Sequence, residues 1–330
     1  MTWRVVRRAP PAPPPYTTRE VRVAAPGATL AATLFVPRTA TTKHAGVLIL
    51  QGSSTNLRTE YRFQADQFAR AGFVVLTFDK RGNGQSTGNY RRATYDDLVA
   101  DARAAFDTLA SQLEVDSRRA GVWGLSQGAL IAPLVAQGKA AFVVAVSSPG
   151  MPISEAAAYQ DSLRVAWAGR PEADAARAAA AHRALARALS TNQSSAELKA
   201  LFASTAREPW RRLTGLPATP PADEELRGWY WLGRTLDPIV WWRSLQVPVL
   251  LVYGEADELV SARPSAERLA AALREAGNSD VTTRIYPRAN HVVRLVASPL
   301  ARAAGRWEWP RPAPGYLDEV LRWTREKSAP

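Results

Sequence analysis

The sequence predicts an α/β fold in which a mostly parallel central sheet is flanked by helices and carries a helical cap insertion. Two observations support this prediction. Short apolar runs alternate with longer helix-like segments over most of the 330 residues, and such alternation favours parallel strands joined by right-handed crossovers. A Gly-x-Ser-x-Gly pattern also lies where a predicted strand meets a predicted helix, within Val122–Ala129.

The elements can be placed in chain order from apolar runs and turn residues. An opening antiparallel hairpin is predicted from Arg19–Val23 and Leu30–Val36, joined through Pro26–Gly27. The remaining predicted strands are Val47–Leu50, Val74–Phe78, Gly121–Trp123, Phe142–Val146, Val247–Tyr253 and Val281–Tyr286. Helices are predicted around Glu60–Ala71, Tyr95–Leu113 and Tyr316–Lys327.

The Gly-x-Ser-x-Gly pattern at Gly124, Ser126 and Gly128 is typical of a nucleophile elbow, where a strand turns sharply into a helix at the serine. Glycines are needed because strand and helix pass too close for side chains. The serine is strained, and the strain lifts its hydroxyl above the sheet edge. The same pattern occurs by chance in ordinary turns, so the role of Ser126 as nucleophile depends on its partners.

A general base for Ser126 is sought among three histidines. His44 precedes a predicted strand ahead of the serine, and His182 lies in an alanine-rich helical stretch expected to have a solvated face. His291 instead follows a late predicted strand that ends at Tyr286. Imidazole is the side chain best suited to act as a base near neutral pH, so His291 is the predicted base.

The acid that orients the base is expected just after the strand Val247–Tyr253. Three carboxylates compete there: Glu255, Asp257 and Glu258. Asp257 is preferred because Gly254 closes the strand and the third position beyond it can turn back over the sheet edge. A carboxylate at that point can accept a hydrogen bond from the imidazole and stabilise the imidazolium formed during attack.

These segments together resemble the serine-dependent α/β-hydrolases, most closely the bacterial esterases and the prolyl-peptidase-like group. The order Ser126, Asp257, His291 matches that family's triad. The resemblance implies an oxyanion hole formed by the backbone N–H groups of Ser53 and Gln127, although Ser54 stands where a glycine is frequent. It is supported by four further segments: Leu48–Ser54, Phe78–Ser86, Asp237–Pro238 and Pro314–Asp318.

The resemblance implies a serine hydrolase that cleaves carboxylic esters through an acyl-enzyme intermediate, without a metal or organic cofactor. A peptidase or amidase of the same triad chemistry is the second hypothesis, so the expected partner is a small-molecule ester or a short peptide or amide. A non-catalytic hydrolase fold used for binding is a third hypothesis. The intact order of Ser126, Asp257 and His291 argues against it.

The domain organisation follows from composition along the chain. Residues 1–18 are expected to form a proline-rich lead-in, with Pro10–Pro15 of polyproline type. Residues 19–150 and 245–330 are expected to form the α/β core, and residues 151–244 a mainly helical cap. The tryptophans of the cap are expected mostly to pack it onto the core. A few are candidates for an apolar substrate pocket above Ser126. These are Trp229, Trp231, Trp241 and Trp242.

Composition also excludes several classes of protein. The net charge is +12, but scattered arginines without a basic tract or motif do not predict nucleic-acid binding. The absence of cysteine excludes disulfides and thiol catalysis. No run approaches the ~18 apolar residues of a membrane span, and no intact signal peptide is seen. A soluble, cytoplasmic protein is expected, or a secreted or periplasmic one from which a signal peptide has been removed.

Overall fold

A computed structural model describes residues 13–38, 43–190, 195–216, 218–220, 233–297 and 304–330. The strands of its main sheet are β1 (Tyr16–Ala25), β2 (Ala28–Pro37), β3 (Gly46–Leu50), β4 (Val74–Phe78), β5 (Gly121–Leu125), β6 (Val143–Val146), β7 (Val249–Gly254) and β8 (Val281–Tyr286). A small second sheet pairs β9 (Arg294–Leu295) with β10 (Arg311–Pro312).

The helices of the described residues separate these strands. They are α1 (Arg62–Arg70), α2 (Tyr95–Ala110), α3 (Gln127–Ala136), α4 (Ile153–Trp167), α5 (Glu172–Ser190), α6 (Ser195–Thr205), α7 (Ile239–Trp242), α8 (Ala262–Glu275) and α9 (Tyr316–Lys327). Local sequence explains their limits. For example, Thr94 and Asp97 form a reciprocal capping box at the start of α2.

The eight strands of the main sheet lie in the order β1-β2-β4-β3-β5-β6-β7-β8. The opening hairpin and its contact with β4 are antiparallel, and every later pairing is parallel. The predicted α/β class, with a mostly parallel sheet flanked by helices, is therefore confirmed. Strands β3 to β7 are buried along their whole length, as expected where helices cover both faces.

Most predicted elements lie within a few residues of the observed ones, and two differ for tertiary reasons. The chain after α2 leaves the helix before the predicted end at Leu113, because it extends to pair with His44 beside the start of β3. At the other end, β1 begins at Tyr16, inside the predicted lead-in, because Tyr16 to Thr18 pair with β2.

Two hydrophobic clusters cover the two faces of the sheet. One contains apolar side chains of α2, α3 and α8, and the other contains those of α1 and α9. A third cluster lies inside the segment between β6 and β7, where α4, α5 and α6 pack around Trp210. The described part of this segment is therefore mainly helical and has apolar packing of its own.

The two ends of the segment between β6 and β7 are held together at the sheet. The backbone N–H of Ile153 donates to the carbonyl of Leu236 at 3.0 Å. Arg268, on α8, donates to Gly150 O at 2.7 Å and to both carboxylate oxygens of Asp237 at 2.7 and 2.8 Å. The Asp237–Pro238 pair thus marks the point where the chain returns to the core. Of the described residues, no helix is long and apolar enough to cross a membrane.

Trp242, at the end of α7, provides a test of this packing. Its side chain is fully buried in the cluster beneath the sheet, so Trp242→Ala should lower the free energy of unfolding by about 3–5 kcal/mol. Trp309→Ala is the control, since Trp309 is 73% exposed and should change stability by less than about 0.5 kcal/mol. Denaturant unfolding measures both. A parent-like midpoint for Trp242→Ala would contradict the packing.

Candidate active site

Ser126 lies at a sharp turn between β5 and α3, with a positive φ of 54°. Such backbone angles cost a non-glycine residue about 1–3 kcal/mol, and residues that adopt them are concentrated at functional sites. The turn is tight because a Cβ on Gly124 would lie 2.6 Å from the backbone nitrogen of Ala129. A Cβ on Gly128 would overlap the carbonyl of Leu50 at the end of β3. Both glycines are therefore required by contact with backbone.

The segment that leaves β3 lies directly beside the elbow. The backbone N–H of Gly52 donates to the Tyr61 hydroxyl at 2.8 Å. A Cβ placed on Gly52 would lie 3.6 Å from the Cβ of Ser126. Ser53 follows and lines the same cavity as Ser126 and Gln127. The structure thus brings together the three residues that the sequence assigns to the nucleophile and its oxyanion hole.

Asp257 and His291 form a buried pair at the ends of β7 and β8. The Nδ1 atom of His291 lies 2.9 Å from each carboxylate oxygen of Asp257, and both residues are buried. The Oδ1 atom of Asp257 also accepts the backbone N–H groups of Leu259 and Val260 at 2.8 and 2.9 Å. These donors hold the carboxylate in a fixed orientation.

The other two candidate acids have different contacts. Glu258 accepts the backbone N–H of His291 at 3.2 Å and so supports the histidine loop without touching its ring. The side chain of Glu255 is 53% exposed and lies 4.0 Å from Arg263. Of the three carboxylates, it is Asp257 that contacts the imidazole.

The turn that carries Asp257 (the acid turn) and the turn that carries His291 (the histidine turn) are joined closely through their backbones. A Cβ on Gly254 would overlap the carbonyls of Ala289 and Asn290, and the N–H of Ala256 donates to Ala289 O at 2.8 Å. The close approach explains why a glycine ends β7. It also places Asp257 and His291 in contact although they are 34 positions apart in the chain.

Backbone bonds at the end of β6 connect Ser126 to the histidine turn. The N–H of Ser126 donates to Val146 O at 2.9 Å. The next residue, Ser147, donates from its hydroxyl to the carbonyl of His291 at 2.8 Å. The side chains of Ser126 and His291 are not hydrogen-bonded to each other in the structure, and such bonds are often long before substrate binds.

A cavity of about 410 Å³ opens above Ser126. Ser53 from the loop after β3, the elbow and Tyr95 of α2 line one part of it, and residues of α4 and α5 line another. Helix α4 also contacts the acid turn, because Tyr159 donates to Asp257 O and Gln160 donates to Leu259 O, both at 2.9 Å. The segment between β6 and β7 therefore forms a wall of the cavity and is bonded to the site.

The far wall of the cavity contains a buried Asp161–His182 pair that the sequence did not indicate. The two side chains lie 2.5 Å apart and are almost fully buried. Asp161 also accepts from Gly215 N at 3.0 Å and from Arg164 at 3.2 Å. His182 thus lies on the buried face of α5, whose opposite face is exposed. The helical pattern around His182 gives no signal for this contact, because its partner lies 21 positions away on another helix.

The tryptophans proposed as pocket residues fall into two groups. Trp229 and Trp231 lie outside the described residues. Trp241 and Trp242 are described but are not among the residues that line the cavity. Trp242 is fully buried in the core, and Trp241 packs edge-on against Tyr95 with ring centroids 5.4 Å apart. The structure places these two residues outside the cavity lining, because α7 packs against α8 and α3.

Beside the loop after β3 lies a buried lysine that no sequence pattern indicated. Lys80 follows β4 in the Phe78–Ser86 turn and is 7% exposed. Burial lowers the pKa of its ammonium to about 7. Its contacts reach Gly52 and Gln127, on the two segments beside Ser126. Within the described ranges, no group of three or more His, Asp or Glu side chains could hold a metal ion.

The fold and this site define an α/β-hydrolase: a mostly parallel sheet with a strained serine between strand and helix, and an Asp–His pair at the same sheet edge. Comparison with known families agrees. Residues 41–294 match the family described as serine aminopeptidase, S33 (Hydrolase_4), and the chain belongs to this family. The resemblance to the α/β-hydrolase superfamily is thereby confirmed.

Solved structures with the same fold include esterases and a peptidase. An esterase of Pyrococcus furiosus is similar with a TM-score of 0.60 and 18% identity, over 99% of this chain and 97% of that one. Acetyl xylan esterase 1 of Thermoanaerobacterium sp. gives 0.56 and 16%, over 97% and 86%. The acylaminoacyl peptidase of Pyrococcus horikoshii gives 0.58 and 14%, over 94% of this chain and 42% of that one.

Curated relatives match over short stretches. An uncharacterized protein of Mycobacterium tuberculosis is 38% identical over 87 residues, which is 26% of this chain and 30% of the relative. An uncharacterized 31.7 kDa protein of Escherichia coli is 36% identical over 64 residues, or 19% and 22%. The matches thus span less than a third of the length of these relatives.

Proposed function

We propose that this α/β hydrolase is a serine esterase that cleaves carboxylic esters with Ser126, His291 and Asp257. One observation supports the proposal most directly. The imidazole of His291 is held at 2.9 Å by a buried, doubly N–H-bonded carboxylate, at the same sheet edge as a serine with φ of 54° that opens onto a cavity. A structural ion pair would not need a strained serine beside it.

In the proposed reaction, His291 takes the Ser126 proton as the hydroxyl attacks the ester carbonyl. The Nδ1–H of His291 donates to Asp257, so the other ring nitrogen is left as the base. Asp257 remains a carboxylate throughout and stabilises the imidazolium. His291 then gives the proton to the departing alcohol, which leaves an acyl group on Ser126. Water activated by His291 releases the acid and restores the serine.

The tetrahedral intermediates carry a negative oxygen that needs donors. The backbone N–H groups of Ser53 and Gln127 are proposed for this role, because both residues line the cavity with Ser126. Gln127 is the first residue of α3, and the helix N-terminus adds a favourable positive potential. Loss of one such donor typically raises the barrier by about 3–4 kcal/mol.

The segment 151–244 is proposed to act as a cap over the site. Its helix α4 is bonded to the acid turn through Tyr159 and Gln160, and α4 and α5 supply the wall of the cavity opposite Ser126. A cap in this position limits the entry of water and selects the acyl or leaving group. The domain division at 150 and 245 is part of this proposal.

The family is described as serine aminopeptidase, so a peptidase is the second candidate function. Recognition of a peptide amino terminus calls for a carboxylate that is free to bind an ammonium group. Of the described residues that line the cavity, Asp161 is the one carboxylate, and it already accepts from His182, Arg164 and Gly215. The described cavity therefore favours an ester without a charged amine.

Ser126→Ala and His291→Ala should each reduce ester hydrolysis by about 10⁴-fold or more, and the double variant should be no worse, because the two residues act as a unit. Hydrolysis of p-nitrophenyl esters measures this. His44→Ala is the control, since His44 precedes β3 at the opposite edge of the sheet, with Nδ1 3.0 Å from Gly72 O. It should retain activity. Additive losses in the double variant would assign His291 a separate role.

Asp257→Asn should lower kcat by about 10⁴-fold, because the amide favours the wrong imidazole tautomer. Glu258→Gln keeps an acceptor for the His291 backbone, and Glu255→Gln changes an exposed side chain. Both should stay within about 10-fold of the parent, a loss of under ~1.4 kcal/mol in barrier. Steady-state kinetics on the three variants decides the assignment. A larger loss in either glutamate variant than in Asp257→Asn would move the acid to that residue.

A substrate panel tests the choice between ester and peptide. We expect p-nitrophenyl esters to be hydrolysed with a kcat/KM at least ~10-fold above that for aminoacyl-p-nitroanilides, a difference of ~1.4 kcal/mol. N-acetylated anilides are the control, because they remove the amine but keep the amide. Preferred cleavage of free-amine anilides over acetylated ones would establish the aminopeptidase instead. Labelling of Ser126 by a fluorophosphonate probe, with no cleavage of any substrate, would reject both.

A further inference from the structure

Lys80 lies under the active site, where the chain turns after β4. Its Nζ donates to the carbonyl of Gly52, to Gln127 Oε1 at 2.7 Å and to the Tyr90 hydroxyl at 3.2 Å. It also lies 4.7 Å from the centroid of the Tyr90 ring. The three hydrogens of the ammonium thus have three acceptors, and all three contacts are buried.

A buried cation of this kind is costly, and among the described residues no carboxylate forms an ion pair with it. The neighbouring charged residues are paired elsewhere: Asp79 with Arg58, and Arg81 with Asp101. Burial is the cause of the lowered pKa of Lys80, which is about 7. A charge that forms no ion pair contributes little to stability in such a place. Its contacts with Gly52 and Gln127 therefore point to a role at the site.

We propose that Lys80 is a positioning residue that aligns both donors of the oxyanion hole. This inference rests on the proposed function, since it assumes that Ser53 and Gln127 supply the donors. The carbonyl of Gly52 and the N–H of Ser53 belong to one planar trans peptide, so they point in opposite directions. When Lys80 holds the carbonyl from below, the N–H of Ser53 is directed away from the lysine.

The second donor is held through a side chain. Gln127 begins α3, and its Oε1 accepts from Lys80 at 2.7 Å and from Tyr90 at 2.9 Å. These two bonds hold Gln127 in place, and its backbone N–H is the one that directly follows Ser126. One ammonium therefore joins two segments that are remote in sequence, the loop after β3 and the start of α3. The N–H groups of Ser53 and Gln127 keep a constant separation only while Lys80 is bonded to both segments.

The charge of Lys80 also acts on the donors electronically. A hydrogen bond from an ammonium polarises the accepting peptide, and this makes the N–H of the same peptide a stronger donor. In a buried site this effect is weakly screened. It favours the transition state, where the substrate oxygen is negative, more than the neutral ground state. Lys80 should consequently influence kcat and leave KM nearly unchanged.

The test is Lys80→Met, which keeps the length and apolar stem of the side chain and removes the donors. We expect kcat for a p-nitrophenyl ester to fall about 10- to 100-fold with KM within about 2-fold, less than the 10²- to 10³-fold typical of losing a donor itself. Affinity for a trifluoromethyl ketone, which forms an oxyanion on Ser126, should fall by a similar factor.

Arg81→Met is the matched control. Arg81 is the adjacent buried cation, but it binds Asp101 and the carbonyls of Pro26 and Asp97, away from the oxyanion segments. It should lower the melting temperature and leave kcat within about 3-fold at temperatures where the variant is folded, a barrier change of ~0.65 kcal/mol by the rate relation. An equal loss of kcat in Arg81→Met would show that Lys80 acts only through stability, and would overturn the proposal.

Two further measurements keep the inference distinct from the proposed function. Fluorophosphonate labelling of the parent at Ser126 tests the function alone. If the parent is labelled but Lys80→Met has parent-like kcat and ketone affinity, the positioning role is wrong and the esterase proposal stands. If Lys80→Met does not fold, Gln127→Met decides, since it keeps the backbone N–H but removes the anchor. Parent-like kcat in Gln127→Met would overturn the role of the anchor.

Discussion

The close approach of α3 to the ends of β3 and β5 is the constraint on which the rest of the site depends. The first turn of the helix passes so near the carbonyl of Leu50 that a methyl group at position 128 has no room. The chain reaches this geometry only by forcing Ser126 to a positive φ. The loop after β3 is thereby placed against the helix N-terminus, so the serine hydroxyl and the Ser53 peptide converge on one cavity.

A second set of backbone contacts brings the acid and base to the same edge. The carboxyl ends of neighbouring parallel strands meet there, and Gly254 lets β7 end directly against the histidine turn. The bond from Ser147 to the carbonyl of His291 then ties the end of β6 to that turn. Positions 126, 257 and 291 are thus held by a rigid sheet edge. Such support is what precise positioning of reacting groups requires.

Buried charge is used differently on the two sides of the cavity. On the side of the helical segment, Asp161 is fully engaged by His182, Arg164 and Gly215, and it joins α4, α5 and the loop at 214–216. Beneath the elbow, Lys80 binds carbonyl and hydroxyl oxygens, and the described part of the chain places no anionic partner beside it. A satisfied pair holds a wall in place. In the proposed role of Lys80, a cation bound to neutral dipoles directs its field at the place where negative charge would develop.

The sequence by itself indicated the strands of the main sheet and several of the helices, because periodicity and turn chemistry are local. Val281–Tyr286 and Tyr316–Lys327 have the predicted bounds. It also predicted Ser126, Asp257 and His291 as a set, from a motif and from chain order. The catalytic roles of these three residues stay a proposal, but their placement at one sheet edge agrees with it.

The tertiary structure alone decided which side chains are buried and against what. The helical pattern around His182 gave no sign that its partner Asp161 lies on the preceding helix, 21 positions away. Trp242 looked like any other tryptophan of its segment, and only the packing of α7 against α8 places it in the core. Lys80 stands in a polar turn that reads as solvated. Its burial arises because β3 and α3, distant in sequence, close over it, and contacts between distant segments leave no local pattern.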